Sequence, residues 1–379
     1  MKNQTKKLVS LLAAAMFAVP LASCNETSES SGNKPPVTGE NVLEMSVIDL
    51  GYGTKWAEEL GEAFKRKKKA EGKDINVIVH PGKRDTLEAQ LNAGASNNPI
   101  DLFVDEFAPH MRLVDKKTSA GEPLCADLTD VYNAVADGET LSVKDRMYES
   151  IENAYNYCGK GKYYAFPSLN DTNGLYYNKQ FFDSNNIEVP KTTDQLLQVC
   201  KKIKDMNSGV SPIISYDGYW NFVFQIWWAQ YVGIETYNEF FRPDFDVKPS
   251  DPNSAYVLQF DGRQSALSVL EELVKSSNGY DNKKVKSDSF TQIQSYFLRG
   301  RSAMIPNGGW MLREMENTQT KDVNPVIMKL PVNSDIAYKL NITEEQLIAA
   351  ISYYDGDTNV KPDISDEAYE EIKKARGLT

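Results

Sequence analysis

Histidine and cysteine are scarce: the 379 residues hold two His and four Cys. His80 and His110 share no H-E-x-x-H or comparable spacing, and no two Cys stand as C-x-x-C. Nothing therefore marks a zinc site, a thioredoxin-like pair or another metal centre. A G-x-S-x-G elbow and a phosphate-cradling glycine loop are missing too, so the chain is expected to be no enzyme and to carry no cofactor. Positive charge is short: the formal net charge is −11, which argues against nucleic acid and against a basic membrane-binding face. The run Lys65-Arg66-Lys67-Lys68-Lys69 is the exception. It ends a helical stretch in which Trp56, Leu60 and Phe64 recur at i, i+4 and i+8. Cations there complement the helix C-terminus and stay solvated. Long apolar runs are also lacking. The one candidate, residues 8–20, falls short of the roughly 20 residues that span a bilayer.

That short run has a context. Lys2, Lys6 and Lys7 precede it, and Leu21-Ala22-Ser23-Cys24 comes after it. Positive region, apolar run and small residues in that order read as a signal peptide over residues 1–23. The sequence before Cys24 resembles the lipobox of bacterial lipoproteins, which implies cleavage before Cys24 and a diacylglycerol on its thiol. Residues 24–41 hold almost nothing apolar and read as a flexible tether. The expectation is a chain anchored by lipid to the outer side of the cell membrane. Of the remaining thiols, Cys125 and Cys158 are available to pair in that compartment, which the sequence leaves open, and at least one thiol is left over as a small buried hydrophobe.

The chain beyond the tether is too long for one ordinary core and suggests two domains. Residues 43–50 read as a strand, 56–69 as a helix, 75–79 as a strand closed by Pro81-Gly82, 86–93 as a short helix and 100–104 as a third strand. Short links between alternating elements mean parallel pairing in an α/β layer, with ligands gathering at the strand C-termini near Tyr52, Pro81 and Asp105-Glu106. The middle is helical. Thr192 and Gln195 form a capping box, as do Thr343 and Gln346. An aromatic helix over 220–231 stops at Gly233. Leu267, Leu270, Leu273 and Val274 mark one side of a helix over 265–274. Phe290, Ile293 and Phe297 stripe another that ends at Gly300.

Three stretches, in order, carry a resemblance. The first is Gly161-Lys162-Tyr163-Tyr164-Ala165-Phe166-Pro167, then Asn173-Gly174-Leu175-Tyr176-Tyr177-Asn178-Lys179, then Val189-Pro190-Lys191-Thr192 opening a helix. The second runs from Phe297-Leu298-Arg299-Gly300-Arg301 through Ala303-Met304 to Asn307-Gly308-Gly309-Trp310. The third is Leu330-Pro331, at the place of a family strand. Together they resemble the family-1 extracellular solute-binding proteins of ABC importers, the group that includes maltose-binding protein. The resemblance implies a type II periplasmic-binding-protein-like α/β fold: two lobes, a hinge and an interlobe cleft. The expected division is a first lobe over 42–165, a second over 166–335, and a helical segment over 336–379 near the second hinge crossing. Relatives return to the first lobe after the Leu-Pro segment. Here the chain stops at Thr379, which reads as a C-terminal truncation.

The implied function is to bind a mono- or oligosaccharide and deliver it to the ABC permease subunits, as a monomer. Sugars show hydroxyls at their edges and C–H on their faces, so a site wants aromatic platforms, carboxylates and amides. Trp310 matches the aromatic that stacks on sugar in the family; the alternative is core packing. Asp171 falls where relatives carry a ligand-binding acid, with Asn173 beside it; the alternative is loop capping. Asn307 lies in the same segment as Trp310. Asp105, Glu106 and Tyr52 sit at strand ends, and Tyr219 and Trp220 at a turn opening the aromatic helix. Trp227 and Trp228 are adjacent, and one of them is expected in the core. The competing readings are a binding protein for another solute such as a polyamine or peptide, a surface-anchored glycosidase using paired carboxylates, and an adhesin without a transporter.

Overall fold

The computed structural model describes residues 41–49, 51–82, 87–93, 100–105, 113–118, 121, 123–167, 171–240, 262–280 and 282–378. The signal peptide, Cys24 and nearly all of the tether lie outside them, as do Glu106 and His110. Residues Leu43–Thr379 pack as one compact unit, built around two sheets. No helix among the described residues is long and apolar enough to cross a membrane.

The first sheet orders β2 (Asn76–Gly82), β1 (Val42–Ile48) and β3 (Leu102–Val104), with β1 central. β1 and β3 run parallel, Met45 opposite Leu102 and Val47 opposite Val104, as the alternation of strand and helix predicts. β2 continues through Pro81-Gly82 rather than closing before them. Gly82 permits this because a Cβ there would lie 2.8 Å from the Ser46 hydroxyl oxygen. The helix Lys55–Ala70 covers the sheet with Ala57 and Gly61. Leu60, read as part of its apolar stripe, stands 56% exposed. The reason is distance: a Cβ at Gly61 would fall 2.9 Å from Val77 Cγ1. The helix therefore lies closer to the sheet than a stripe of large side chains would allow. The basic run at its end is solvated and partly ion-paired, Lys67 with Asp137 at 3.0 Å and Lys68 with Glu71 at 2.7 Å. Under the sheet, buried Glu44 meets His80 Nε2 at 2.6 Å, and the Glu44 N–H donates to Asp101 at 2.9 Å.

The second sheet orders β5 (Ser211–Ile213), β6 (Ser302–Gly308), β4 (Asn173–Asn178) and β7 (Pro325–Ile327). β6 pairs parallel with β5 and antiparallel with β4, and β4 pairs antiparallel with β7. Leu330-Pro331, expected as a strand, lies beyond β7. From there Val332 makes a single parallel bridge to Thr192. That bridge also changes the expected capping box. Thr192 accepts from the Gln195 N–H, but the Gln195 side chain takes the Lys191 N–H at 2.8 Å. The box at Thr343 and Gln346 is complete, and Ser289 with Gln292 forms a further one at the start of the helix Phe290–Leu298.

The helix Asn221–Val232 ends at Gly233, whose φ of 88° suits only glycine readily. It buries both tryptophans, Trp227 at 0% and Trp228 at 2% exposure, not one. It packs against β4 and β6 and against the helices Arg263–Leu273 and Asp366–Arg376. A helix covered on several sides turns apolar residues in every direction. The Trp227 indole N–H is satisfied by the Pro331 carbonyl at 3.0 Å. On Arg263–Leu273 the buried set is Ala266, Val269 and Leu273, and Leu267 points outward at 42% exposure. The segment after Pro331 forms three helices, Asp335–Lys339, Glu344–Asp355 and Asp366–Arg376. They share a small core of Val332, Ile336, Leu347, Ile351 and Ile372.

Cys200 is buried in the second-lobe core, where desolvation pushes its thiol up to about 12. Cys125 is a half-buried free thiol, and the side chain of Cys158 lies outside the described residues.

Candidate ligand-binding site

The site grows from the register of two strands. Antiparallel pairing sets Asn173, the first residue of β4, opposite Gly308, the last of β6. This brings Asp171, just before β4, beside Gly309 and Trp310, just after β6. The Gly309 N–H donates to the Thr172 carbonyl at 3.2 Å. The Asp171 carboxylate then takes two backbone donors, Thr172 N–H at 2.8 Å on Oδ1 and Trp310 N–H at 3.1 Å on Oδ2.

Two glycines make room for this. A Cβ at Gly309 would stand 2.4 Å from Asp171 Oδ1, so only glycine lets the carboxylate reach the backbone there. A Cβ at Gly308 would stand 1.9, 2.3 and 2.4 Å from Trp310 Cζ3, Cε3 and Cη2. The six-membered ring of the indole therefore lies directly on the Gly308 backbone. Tyr219 and Phe222 meet the indole nearly perpendicular, at centroid distances of 6.0 and 5.6 Å, the edge-to-face geometry that the ring quadrupole favours. Tyr216 adds a further ring against Tyr219 at 5.5 Å. Trp310, Tyr219 and Phe222 are all half-buried.

The first lobe reaches the same place. Gly51 and Gly53, with φ of 51° and 66°, turn the chain after β1 and carry Tyr52 to Asp171. The phenol faces the carboxylate. Burial, and then the facing Asp171 carboxylate, push the Tyr52 hydroxyl up to about 12.

Tyr52, Asp171, Tyr219 and Trp310 thus come together. Asn173 is exposed at the start of β4. Asn307 is fully buried; its Oδ1 accepts the Gly308 N–H at 2.9 Å and its Nδ2 has no partner among the described residues. Asp105 follows β3 and is half-buried. Trp220 sits elsewhere: at 7% exposure it packs in the second-lobe core against Tyr280 at 5.9 Å. Phe222 does not stand out in the sequence, and Gly308 and Gly309 stand in the Trp310 segment without their packing role being marked there. A helical i+3 spacing from Tyr219 is the signal that points to Phe222. Among the described residues, no group of three or more His, Cys, Asp or Glu comes together to hold a metal ion.

Residues 51–345 match the family described as bacterial extracellular solute-binding protein. The chain belongs to that family. Among its relatives is the multiple sugar-binding protein of Streptococcus mutans serotype c, 23% identical over 324 residues, which are 83% of this chain and 67% of that one. Another is the diacetylchitobiose binding protein NgcE of Streptomyces coelicolor, 20% identical over 306 residues, 78% of this chain and 58% of that one. The chain thus spans only part of either relative's length. Among solved structures it is similar to the ABC substrate-binding protein Lmo0181 from Listeria monocytogenes in complex with cycloalternan. The TM-score there is 0.56 and the identity 16%, covering 89% of this chain and 83% of that one. The fold of this solute-binding protein is accordingly the two-lobe α/β fold. One lobe carries the β1 sheet and Tyr52, and the other carries the β4–β6 sheet with Asp171 and Trp310. Its place, by family, is outside the cytoplasm.

Proposed function

We propose that this solute-binding protein captures a carbohydrate at the Trp310 cluster and delivers it to an ABC permease, with no bond made or broken. One observation carries the reading. An indole laid on bare glycine backbone, edged by two aromatic rings, stands beside a carboxylate that a tyrosine of the other lobe also reaches. Aromatic surface suits the C–H face of a sugar, and the carboxylate suits its hydroxyls. The names of the sugar-binding and diacetylchitobiose-binding relatives support the same ligand class. A ligand that touches both lobes binds the closed arrangement better than the open one and shifts the population toward closed. The closed form is then what a permease recognises.

The test is calorimetric titration with a panel of mono- and oligosaccharides, raffinose, maltotriose and diacetylchitobiose among them. At least one is expected to bind. Trp310→Ala should weaken it by about 2 kcal/mol, roughly thirtyfold, the worth of a buried aromatic face. A protein that binds none of them, while spermidine or a peptide does bind, overturns the sugar assignment.

The anchor belongs to the same proposal. Cys24 behind Leu21-Ala22-Ser23, with a polar tether after it, supports a lipid-modified N-terminus. In cells, Cys24→Ser is expected to abolish incorporation of a fatty-acid label. Undiminished labelling of that variant would exclude Cys24 as the lipidated residue.

A further inference from the structure

We infer that the Gly51–Tyr52 turn is a built-in competitor of the ligand: it lies against the Trp310 side chain and faces the Asp171 carboxylate, and a sugar must displace it. This rests on the proposal that the Trp310 cluster binds sugar. The first ground is space. A Cβ at Gly51 would stand 3.0, 3.4 and 3.7 Å from Trp310 Cβ, Cγ and Cδ1. The Gly51 backbone is thus already in contact with that edge of the residue, with no room for even a comfortable methyl group. A sugar ring cannot come between them unless the turn moves.

The second ground is chemistry. Asp171 accepts two backbone N–H groups fixed by the β4–β6 register, Thr172 and Trp310. The Tyr52 hydroxyl also faces this carboxylate; it is a neutral O–H like that of a sugar, and it can leave without breaking the sheet. The third ground is freedom to move. Tyr52 is 38% exposed and is flanked by two glycines at positive φ, whose backbone has more accessible conformations than that of any other residue. A turn that closes on the site holds part of the population in a form that cannot take ligand. Apparent affinity falls by the fraction so held.

Tyr52→Phe keeps the ring and removes the hydroxyl. It is expected to tighten sugar binding about three- to tenfold and, without any sugar, to raise the radius of gyration measured by small-angle X-ray scattering. Gly51→Ala disturbs the same fit by another route, through its Cβ and its positive φ, and is expected to move both measurements the same way. Weaker or unchanged sugar affinity in Tyr52→Phe, or an unchanged radius in both variants, overturns the competitor. Because the scattering needs no ligand, it still decides this question if no sugar binds the wild type, an outcome that would sink the sugar reading instead.

Discussion

Asp355→Ala is expected to destabilise the protein by about 3–5 kcal/mol, the cost of leaving one partner of a buried ion pair alone. Asp355 and Arg376 have side-chain exposures of only 8% and 4%. Arg376 Nε lies 3.2 and 3.1 Å from the two carboxylate oxygens and Nη2 lies 2.6 Å from Oδ2, a forked, charge-assisted pairing. Nη1 donates to the Leu330 carbonyl at 2.8 Å, and Lys329 meets Asp355 from the solvent side at 2.9 Å. Without the carboxylate, the guanidinium loses its forked, charge-assisted partner. Asp355 is the last residue of its helix, where the dipole disfavours an anion, so what holds an acid there is the tertiary partner. Urea unfolding, monitored by tryptophan fluorescence, reads the loss. Asp355→Leu combined with Arg376→Met should recover most of it, since replacing both partners leaves no unpaired buried charge. A loss below about 1 kcal/mol for the single change would contradict the role given to this pair.

The same pair has a pH signature. Burial pushes the Asp355 carboxyl up, but hydrogen bonds from Arg376 and Lys329 outweigh it and hold the group below its ordinary value. A depressed carboxyl stabilises the fold fully above its unfolded-state value, near pH 4, and gives that up as pH falls through its lower native value. The stability gap between wild type and Asp355→Asn should therefore be full at neutral pH and close below about pH 4.

Much of the fold is legible in the sequence because it is set locally. The strand–helix–strand opening, the Thr343 box and the stop at Gly233 follow from periodicity and from chemistry within a few residues. The misreadings share a cause: each depends on what arrives from far along the chain. Trp228 is buried because Arg263 and Tyr237 cover it. Gln195 turns from Thr192 to Lys191 where the chain pairs with Val332. Ala57 and Gly61, not Leu60, face the sheet because Val77 comes so close. The site divides the same way. Trp310 and Asp171 stand out by motif, but their union through one backbone N–H needs the β4–β6 register, and the arrival of Tyr52 needs the other lobe.

Gly308→Ala is expected to weaken sugar binding about a hundredfold or more, beyond the loss from removing the indole altogether. The new Cβ would fall 1.9 Å from Trp310 Cζ3, far inside contact distance, so the ring has to leave. Its retreats are few. Gly51 lies against Trp310 Cβ, Cγ and Cδ1, Tyr219 and Phe222 stand around the ring, and the Trp310 backbone N–H is tied to Asp171. A displaced indole therefore swings toward the space a sugar would use. The platform is lost and its bulk obstructs the site, with about 1–3 kcal/mol of overpacking cost to stability besides. Gly309→Ala should do less, because the group it meets is the Asp171 carboxylate at 2.4 Å, which can turn about its side-chain bonds at the cost of the Trp310 N–H bond. A double-mutant cycle isolates the clash. In Gly308→Ala with Trp310→Ala the added methyl has no ring to strike, so the pair should bind sugar as Trp310→Ala does, tighter than Gly308→Ala alone. If Gly308→Ala binds as the wild type does, or if the double change is weaker than either single one, the indole does not rest on that glycine and the platform built on it falls.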